Sequence, residues 1–218
     1  MLSRRSGLAL GLATLASPAV TRAQGRFPDR PIRLIVPWPP GGSADAQLRS
    51  IGEIASRRLG QQVVVENRAG ASGTLGALHL KTQARPDGYT ITQMHLSIIR
   101  RPFIVRTPPW DAVADFTHII GLCGWMIGIC VKADSPIRNF QDYIAYARAN
   151  PGRLTYTTSG IATTNHLTME DIASRLGIEL THVPYRASNE AAVAVASGEV
   201  MSVADSSAWA PLVDGGQL

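Results

Sequence analysis

Three times in this chain a short apolar run ends in a loop of glycines and small hydroxyl residues that opens into a helical pattern. The first instance is the most constrained. Ile32 to Val36 leads into Pro37-Trp38-Pro39-Pro40-Gly41-Gly42-Ser43, after which Ala44, Leu48, Ile51, Ala55 and Leu59 recur at spacings of three and four. That spacing is the period of a helix with one apolar face. The prolines stiffen the loop, and the glycines let the backbone approach another group closely. Ser43 stands where an N-cap is expected. The free N–H groups and positive dipole end of such a helix suit a carboxylate or a phosphate. The same residues would also make a stiff connector without a ligand.

The second loop, Glu66 to Gly76, follows Val63-Val64-Val65, read as a buried strand. It carries Asn67, Gly70 and Gly73. The third follows Leu154 to Thr157 and runs Thr158-Ser159-Gly160-Ile161-Ala162-Thr163-Thr164-Asn165-His166. Further strands are expected at Tyr89 to Thr92, His118 to Leu122, Met126 to Val131, Leu180 to Val183 and Val200 to Ala204. Helices are expected after Asn139, after His166 and around Ala191, with a last helical turn from Trp209. Gly60 and Gly177 stand at helix ends, where a left-handed residue is common. Strands alternating with helices at about thirty residues per unit describe an α/β fold of parallel sheets. The pattern restarts near Gly124, which implies two lobes, 24–123 and 124–218.

Residues 1–23 are set apart. Arg4-Arg5 precedes a short apolar run, Gly7 to Ala16, and Thr21-Arg22-Ala23 has the small residues of a cleavage site. This reads as a signal peptide, by the general or the twin-arginine route. The whole chain carries a net charge of +5, but removing Arg4, Arg5 and Arg22 leaves +2, which is no nucleic-acid footprint. An exported chain permits disulfides. Cys123 and Cys130, however, fall on opposite faces of one extended segment, so two buried free thiols are expected.

In an open parallel sheet the strand-to-helix loops all lie at the carboxyl edge, where ligands bind. Two facing lobes would bring the three loops together. Their backbone N–H groups and hydroxyls, with almost no acids, favour an anionic oxygen ligand. Gly70, Gly73 and Gly76 do not have the dinucleotide spacing, and no P-loop lysine is present. The Gly-x-Ser-x-Gly of hydrolases is missing around Ser159, and no acid accompanies Ser159 and His166 to complete a catalytic set. His79, His95, His118, His166 and His182 show no paired metal spacing. No enzyme, metal or cofactor is therefore expected. His166 could meet a ligand or simply pack, and Asp205, after the last strand, could meet a ligand or cap the next helix.

The run Phe27-Pro28-Asp29-Arg30-Pro31 through Val36-Pro37-Trp38-Pro39-Pro40-Gly41-Gly42-Ser43-Ala44-Asp45 resembles the opening of the Bug proteins, the periplasmic substrate-binding proteins of tripartite tricarboxylate transporters. Val64-Val65-Glu66-Asn67-Arg68-Ala69-Gly70-Ala71-Ser72-Gly73, Pro86-Asp87-Gly88-Tyr89-Thr90, Asn150-Pro151-Gly152 and His182-Val183-Pro184-Tyr185-Arg186 follow in the family's order. The resemblance implies a two-lobed, periplasmic-binding-protein-like (type II) fold closing on a small organic acid. It implies a monomer that delivers its solute to membrane permease subunits. The same fold also serves exported sensors, and a serine hydrolase is a remoter alternative. The implied ligand contacts are Trp38, Pro39, Pro40, Gly41, Gly42 and Ser43 in the first loop and Asn67, Gly70 and Gly73 in the second. From the other lobe they are Ser159, Gly160, Ala162, Thr163, Thr164 and His166, with Tyr185 and Asp205. The chain departs from the family at Ala162 and Ala187, where glycines are usual, and at Ser206-Ser207, where an asparagine commonly follows the aspartate. Family chains also run on to complete the first lobe, so this sequence reads as truncated at its C-terminal end.

Overall fold

The computed structural model describes residues 26–124 and 126–218. The expected signal peptide lies outside the described residues. Within them seven strands alternate with seven α-helices.

The first sheet contains β1 (Ile32–Val36), β2 (Val63–Asn67) and β3 (Thr90–Thr92), in the order β2-β1-β3 and all parallel. Helices α1 (Ser43–Leu59) and α2 (Leu75–Gln83) cross between these strands, and α3 (Leu96–Ile104) follows β3. Parallel neighbours need such crossovers, because a tight hairpin cannot join them. Helix α1 ends as its sequence requires: Gly60 takes φ +67° and its N–H returns to Ser56.

The second sheet contains β4 (Gly128–Val131), β5 (Leu154–Thr158), β6 (Leu180–Pro184) and β7 (Ser202–Asp205), in the order β4-β7-β5-β6. Helices α4 (Phe140–Ala149), α5 (Thr164–Leu176), α6 (Ser188–Ala196) and α7 (Ala210–Asp214) complete it. Alternate residues of its strands supply two cores. Leu154, Tyr156 and Ala204 pack with Tyr143, Ala147 and Met169 on one face. Val203 packs with Ala191, Val195 and Val200 on the other. Asn139 caps α4 by accepting from the Asp142 N–H.

Several expectations are corrected. Strand β4 is antiparallel to β7, so the second sheet is mixed. Residues 118–122 form no strand; Ile119 and Ile120 are about three-quarters exposed, and an apolar run becomes a strand only beside a partner with free backbone groups. Helix α3 occupies a stretch to which no element had been assigned. Strand β2 is an edge strand, half-buried and not buried. Val63 and Val65 face α1, whose Gly52 permits the close approach, while Val64 faces outward. Ser43 is the first helical residue and Gly42 the N-cap, without a side-chain cap bond. Both cysteines are free, but Cys123 is exposed and Cys130 half-buried. The missing strand at 118–122 leaves Cys123 without a sheet to cover it.

Candidate functional site

The carboxyl ends of β1, β5 and β7 point toward one another. The loops that follow them line a cavity of about 1190 Å³, which also extends along the first sheet past Leu34 and Ile91 to Phe27, Arg85 and Gly88.

The first loop is held from beneath. Asp45, 3% exposed, accepts the Gly41 N–H and the Arg49 guanidinium on one oxygen, both at 3.0 Å. Its other oxygen accepts Asn67 Nδ2 at 2.7 Å. Burial alone pushes this carboxyl up, but the bonds from Arg49, Asn67 and Gly41 outweigh it and hold it below its ordinary value. Asn67 also donates to the Trp38 carbonyl at 3.0 Å. The Trp38 indole donates to Gln93 Oε1 at 3.1 Å and lies 4.8 Å from the His95 ring. Gly73 makes that arrangement possible. Its φ is +81°, and a Cβ there would fall within 3 Å of both rings. His95 Nε2 meets the Gly73 carbonyl at 3.0 Å, and burial drives the pKa of His95 down to about 4. The imidazole is therefore neutral at pH 7, with its Nε2–H donated to Gly73.

The third loop is held from behind. Thr163 caps α5: its hydroxyl accepts from the His166 N–H at 3.4 Å and donates to the Gly160 carbonyl at 2.8 Å. Ala162 occupies the left-handed region at φ +58°, the conformation a glycine would take freely. Its N–H donates to His166 Nδ1 at 3.2 Å, so the loop keeps its turn despite the methyl group. The His166 ring packs 4.1 Å from His182, which in turn lies 2.8 Å from Thr158 Oγ1. Burial, and then the neighbouring His166, push His182 down to about 4, against the pull of Glu170.

Asp205 ends β7 and is 1% exposed. It accepts from Ser188 Oγ at 2.8 Å, Asn165 Nδ2 at 3.2 Å, the Ser206 N–H at 2.7 Å and Ser206 Oγ at 3.3 Å. Burial raises its pKa, and these bonds offset only part of the rise.

Of the residues expected to bind, Trp38, Pro39, Gly42, Ser43, Ser159, Thr163 and Thr164 line the cavity. Asn67, Gly73, His166 and Asp205 instead fasten residues that do, and Gly160 and Ala162 turn the third loop behind its lining residues. Pro40, Gly41 and Gly70 lie outside the lining. Tyr185 borders a separate shallow depression with Glu190 and Glu199. The lining also includes Gln47, Gln93, His95, Ser97, Asn165, Ser188 and Ser206. Ser97 and His95 come from the stretch around α3, which carried no motif. Asn165 stands in the third loop motif, whereas Ser188 follows a strand of the second sheet and has only that position as a signal. Only Arg85 and Asp115 among the lining residues are charged, and Asp115 is paired with Lys81 at 2.7 Å. The two sides touch where Ser43 Oγ and Ser206 Oγ lie 3.5 Å apart, where the Thr164 N–H donates to Ser97 Oγ at 3.1 Å, and where Ser72 Oγ donates to the Ile161 carbonyl at 2.6 Å.

A two-sheet α/β frame bordering a largely apolar cavity with few charges is the architecture of periplasmic binding proteins. The model of the tripartite tricarboxylate transporter family receptor matches residues 48–218, and the chain belongs to that family. It is 46% identical over 217 residues to the UPF0065 protein in the gbd 5′ region of Cupriavidus necator, covering 98% of this chain and 65% of that protein. The structure of R. palustris Rpa4515 with adipate superposes with a TM-score of 0.81 at 33% identity, over 87% of this chain and 64% of that one. The periplasmic binding protein BugD superposes with a TM-score of 0.76 at 28% identity, over 88% and 64%. The chain thus spans just under two thirds of the length of these relatives. The family is one of periplasmic receptors, not of enzymes.

Proposed function

We propose that the chain captures a small organic carboxylate between its two sheets and presents it to the permease subunits of a tripartite transporter. In this reading it works as a monomer in the periplasm once residues 1–23 are removed. Residues 24–123 and 124–218 form its two lobes. The observation that carries the reading is the cavity itself. It takes in the loops at the carboxyl ends of both sheets and the N-terminus of α1, and its largely apolar lining carries few charges. First-turn N–H groups of a helix have no intrahelical acceptor, and the dipole end there favours an anion. A few hydroxyl and amide groups within an otherwise apolar lining can hold that anion without a permanent ion pair, which suits a receptor that must also release its cargo. Adipate, seen with the Rpa4515 relative, is one member of the ligand class.

Thermal unfolding in the presence of mono- and dicarboxylates tests this. Ligand at 100 times Kd adds about 2.7 kcal/mol, or roughly 5–10 °C for a chain of this size. A flat response to every acid of two to eight carbons would overturn the reading.

A further inference from the structure

We propose that the side of the cavity formed by Ser188 and Ser206 is a subsite for a hydrogen-bond donor on the ligand, a hydroxyl or ammonium group close to its carboxylate, and not for a second carboxylate. The inference rests on the carboxylate-receptor reading above and sharpens it.

A serine hydroxyl has one hydrogen to give and lone pairs to offer. On this side of the cavity the hydrogens are already committed. Ser188 Oγ gives its hydrogen to Asp205 at 2.8 Å, and Ser206 Oγ gives its own to Asp205 at 3.3 Å. Asp205 acts as an acceptor at both oxygens. The Ser206 N–H, which can only donate, meets one, and the Asn165 amide nitrogen meets the other. Every one of these donors is uncharged, so the buried carboxylate holds them without a cation beside it. Ser43 Oγ lies 3.5 Å from Ser206 Oγ. Two hydroxyl oxygens of lining residues, those of Ser188 and Ser206, therefore have lone pairs to offer and no hydrogen to give.

The opposite holds one step away. Ser43 opens α1, whose first-turn N–H groups are donors. Donors and acceptors thus stand side by side. A carboxylate matches the α1 amides, but it has only acceptor oxygens to set against Ser188 and Ser206. A hydroxyl or ammonium group donates to the same oxygens. Because Ser43 and Ser206 are adjacent, the donor must sit on, or next to, the carbon that carries the bound carboxylate.

Titration calorimetry of the full chain decides the matter with two matched sets. The first is succinate, 2-methylsuccinate, malate and aspartate; the second is adipate, 2-hydroxyadipate and 2-aminoadipate. We expect the donor-bearing acid of at least one set to bind tenfold or more tighter than its donor-free partners. Tenfold is about 1.4 kcal/mol, the scale of one hydrogen bond. The hydroxy and amino members tell which donor is preferred. In Ser188→Ala and Ser206→Ala the ratio should fall below threefold, whereas Ser188→Thr, which keeps the hydroxyl, should retain it. Equal or tighter binding of the donor-free acids in both sets overturns the inference and leaves the receptor reading standing. So does a ratio that survives both alanine variants. Failure of every acid to bind overturns the receptor reading and this inference with it.

Discussion

The two sheets present equivalent loops to one cavity, yet they rest on unequal foundations. Under the second sheet, Tyr143, Leu154, Tyr156, Met169 and Val203 are almost wholly enclosed, and cores lie on both faces. Under the first, the clusters are smaller: Leu34, Val36 and Leu48 with half-buried residues around them, and Ala77, Ile98, Trp110 and Ala112 packed with Met94 and Phe116. Phe103, Val113, Ile119 and Ile120, all in the first half, are each at least 74% exposed. Burial of apolar area is the main favourable term in folding, so stability is concentrated in the second half. The loops nevertheless share a device: a buried aspartate gathers donors from neighbouring segments and aims the residues above it. Asp45 includes the Arg49 cation among its donors, while Asp205 uses uncharged groups alone. Precise placement of a loop therefore does not require a massive core beneath it. It requires a saturated acceptor.

The largest effects should come from the cores. Leu→Ala changes in packed interiors cost about 2–5 kcal/mol, more where the surroundings cannot collapse into the space. We expect Leu154→Ala to fall near the top of that range and Leu34→Ala near the bottom, measured by urea unfolding. Amide exchange should accordingly be slower in β5 than in β1. Equal losses, or faster exchange in β5, would break the contrast between the halves.

Next come the two aspartates. Replacing either with asparagine leaves buried donors facing an NH2 group, and a charge-assisted bond of this kind is worth about 1.5–3 kcal/mol. The pH dependence separates them. Asp45 titrates below its ordinary value in the folded state. Its contribution is present above the unfolded pKa, about 3.9, and is lost as pH falls through the folded value. Asp205 titrates above its ordinary value, so its term is largest in acid and is lost as pH rises through the folded value. The gap in melting temperature between the parent and Asp45→Asn should narrow on acidification. The gap to Asp205→Asn should widen. Parallel behaviour would show that the two carboxylates are not the contrasting posts described here.

Much of this arrangement was legible in the sequence because it follows local rules. The apolar run before Pro37, the three-and-four spacing after Ser43 and the left-handed Gly60 each specify their own conformation. What stayed hidden depends on partners distant in sequence. Residues 118–122 are as apolar as a strand but pair with no strand among the described residues. Strand β4 runs antiparallel because its neighbour is β7, from the far end of the chain. The site divides in the same way. Pro39, Gly42, Ser43, Ser159, Thr163 and Thr164 belong to recognisable loop motifs and line the cavity. Gln93, His95 and Ser97 carry no motif, and only the packing of α3 brings them there. His166 and Asp205 stand in the expected loops but lie behind the lining, bonded to its neighbours, and sequence spacing does not separate a lining residue from the one that holds it.

The smallest effect concerns the place where the two halves meet most directly. Ser72 donates to the Ile161 carbonyl at 2.6 Å from a backbone at φ +56°, next to Ala71 at +48°. On the other side Gly160 stands at φ +138°, and a Cβ there would lie 3.2 Å from Ser72 Oγ. The contact thus joins two left-handed turns, one of which relies on a glycine. An L-residue in that region is disfavoured by about 1–2 kcal/mol, while an exposed neutral hydrogen bond contributes about 0.5–1.5 kcal/mol. The bond is therefore comparable to the strain beneath it. Ser72→Ala removes the bond and keeps the strain, and should cost about 1 kcal/mol in urea unfolding. Ser72→Gly removes both. Its gain from relaxing the turn is offset by about 0.4–1 kcal/mol of extra freedom in the unfolded chain, so it should lose less than Ser72→Ala. A glycine variant less stable than the alanine one would mean that the turn is not strained, and that its left-handed residues are held at no cost to either half.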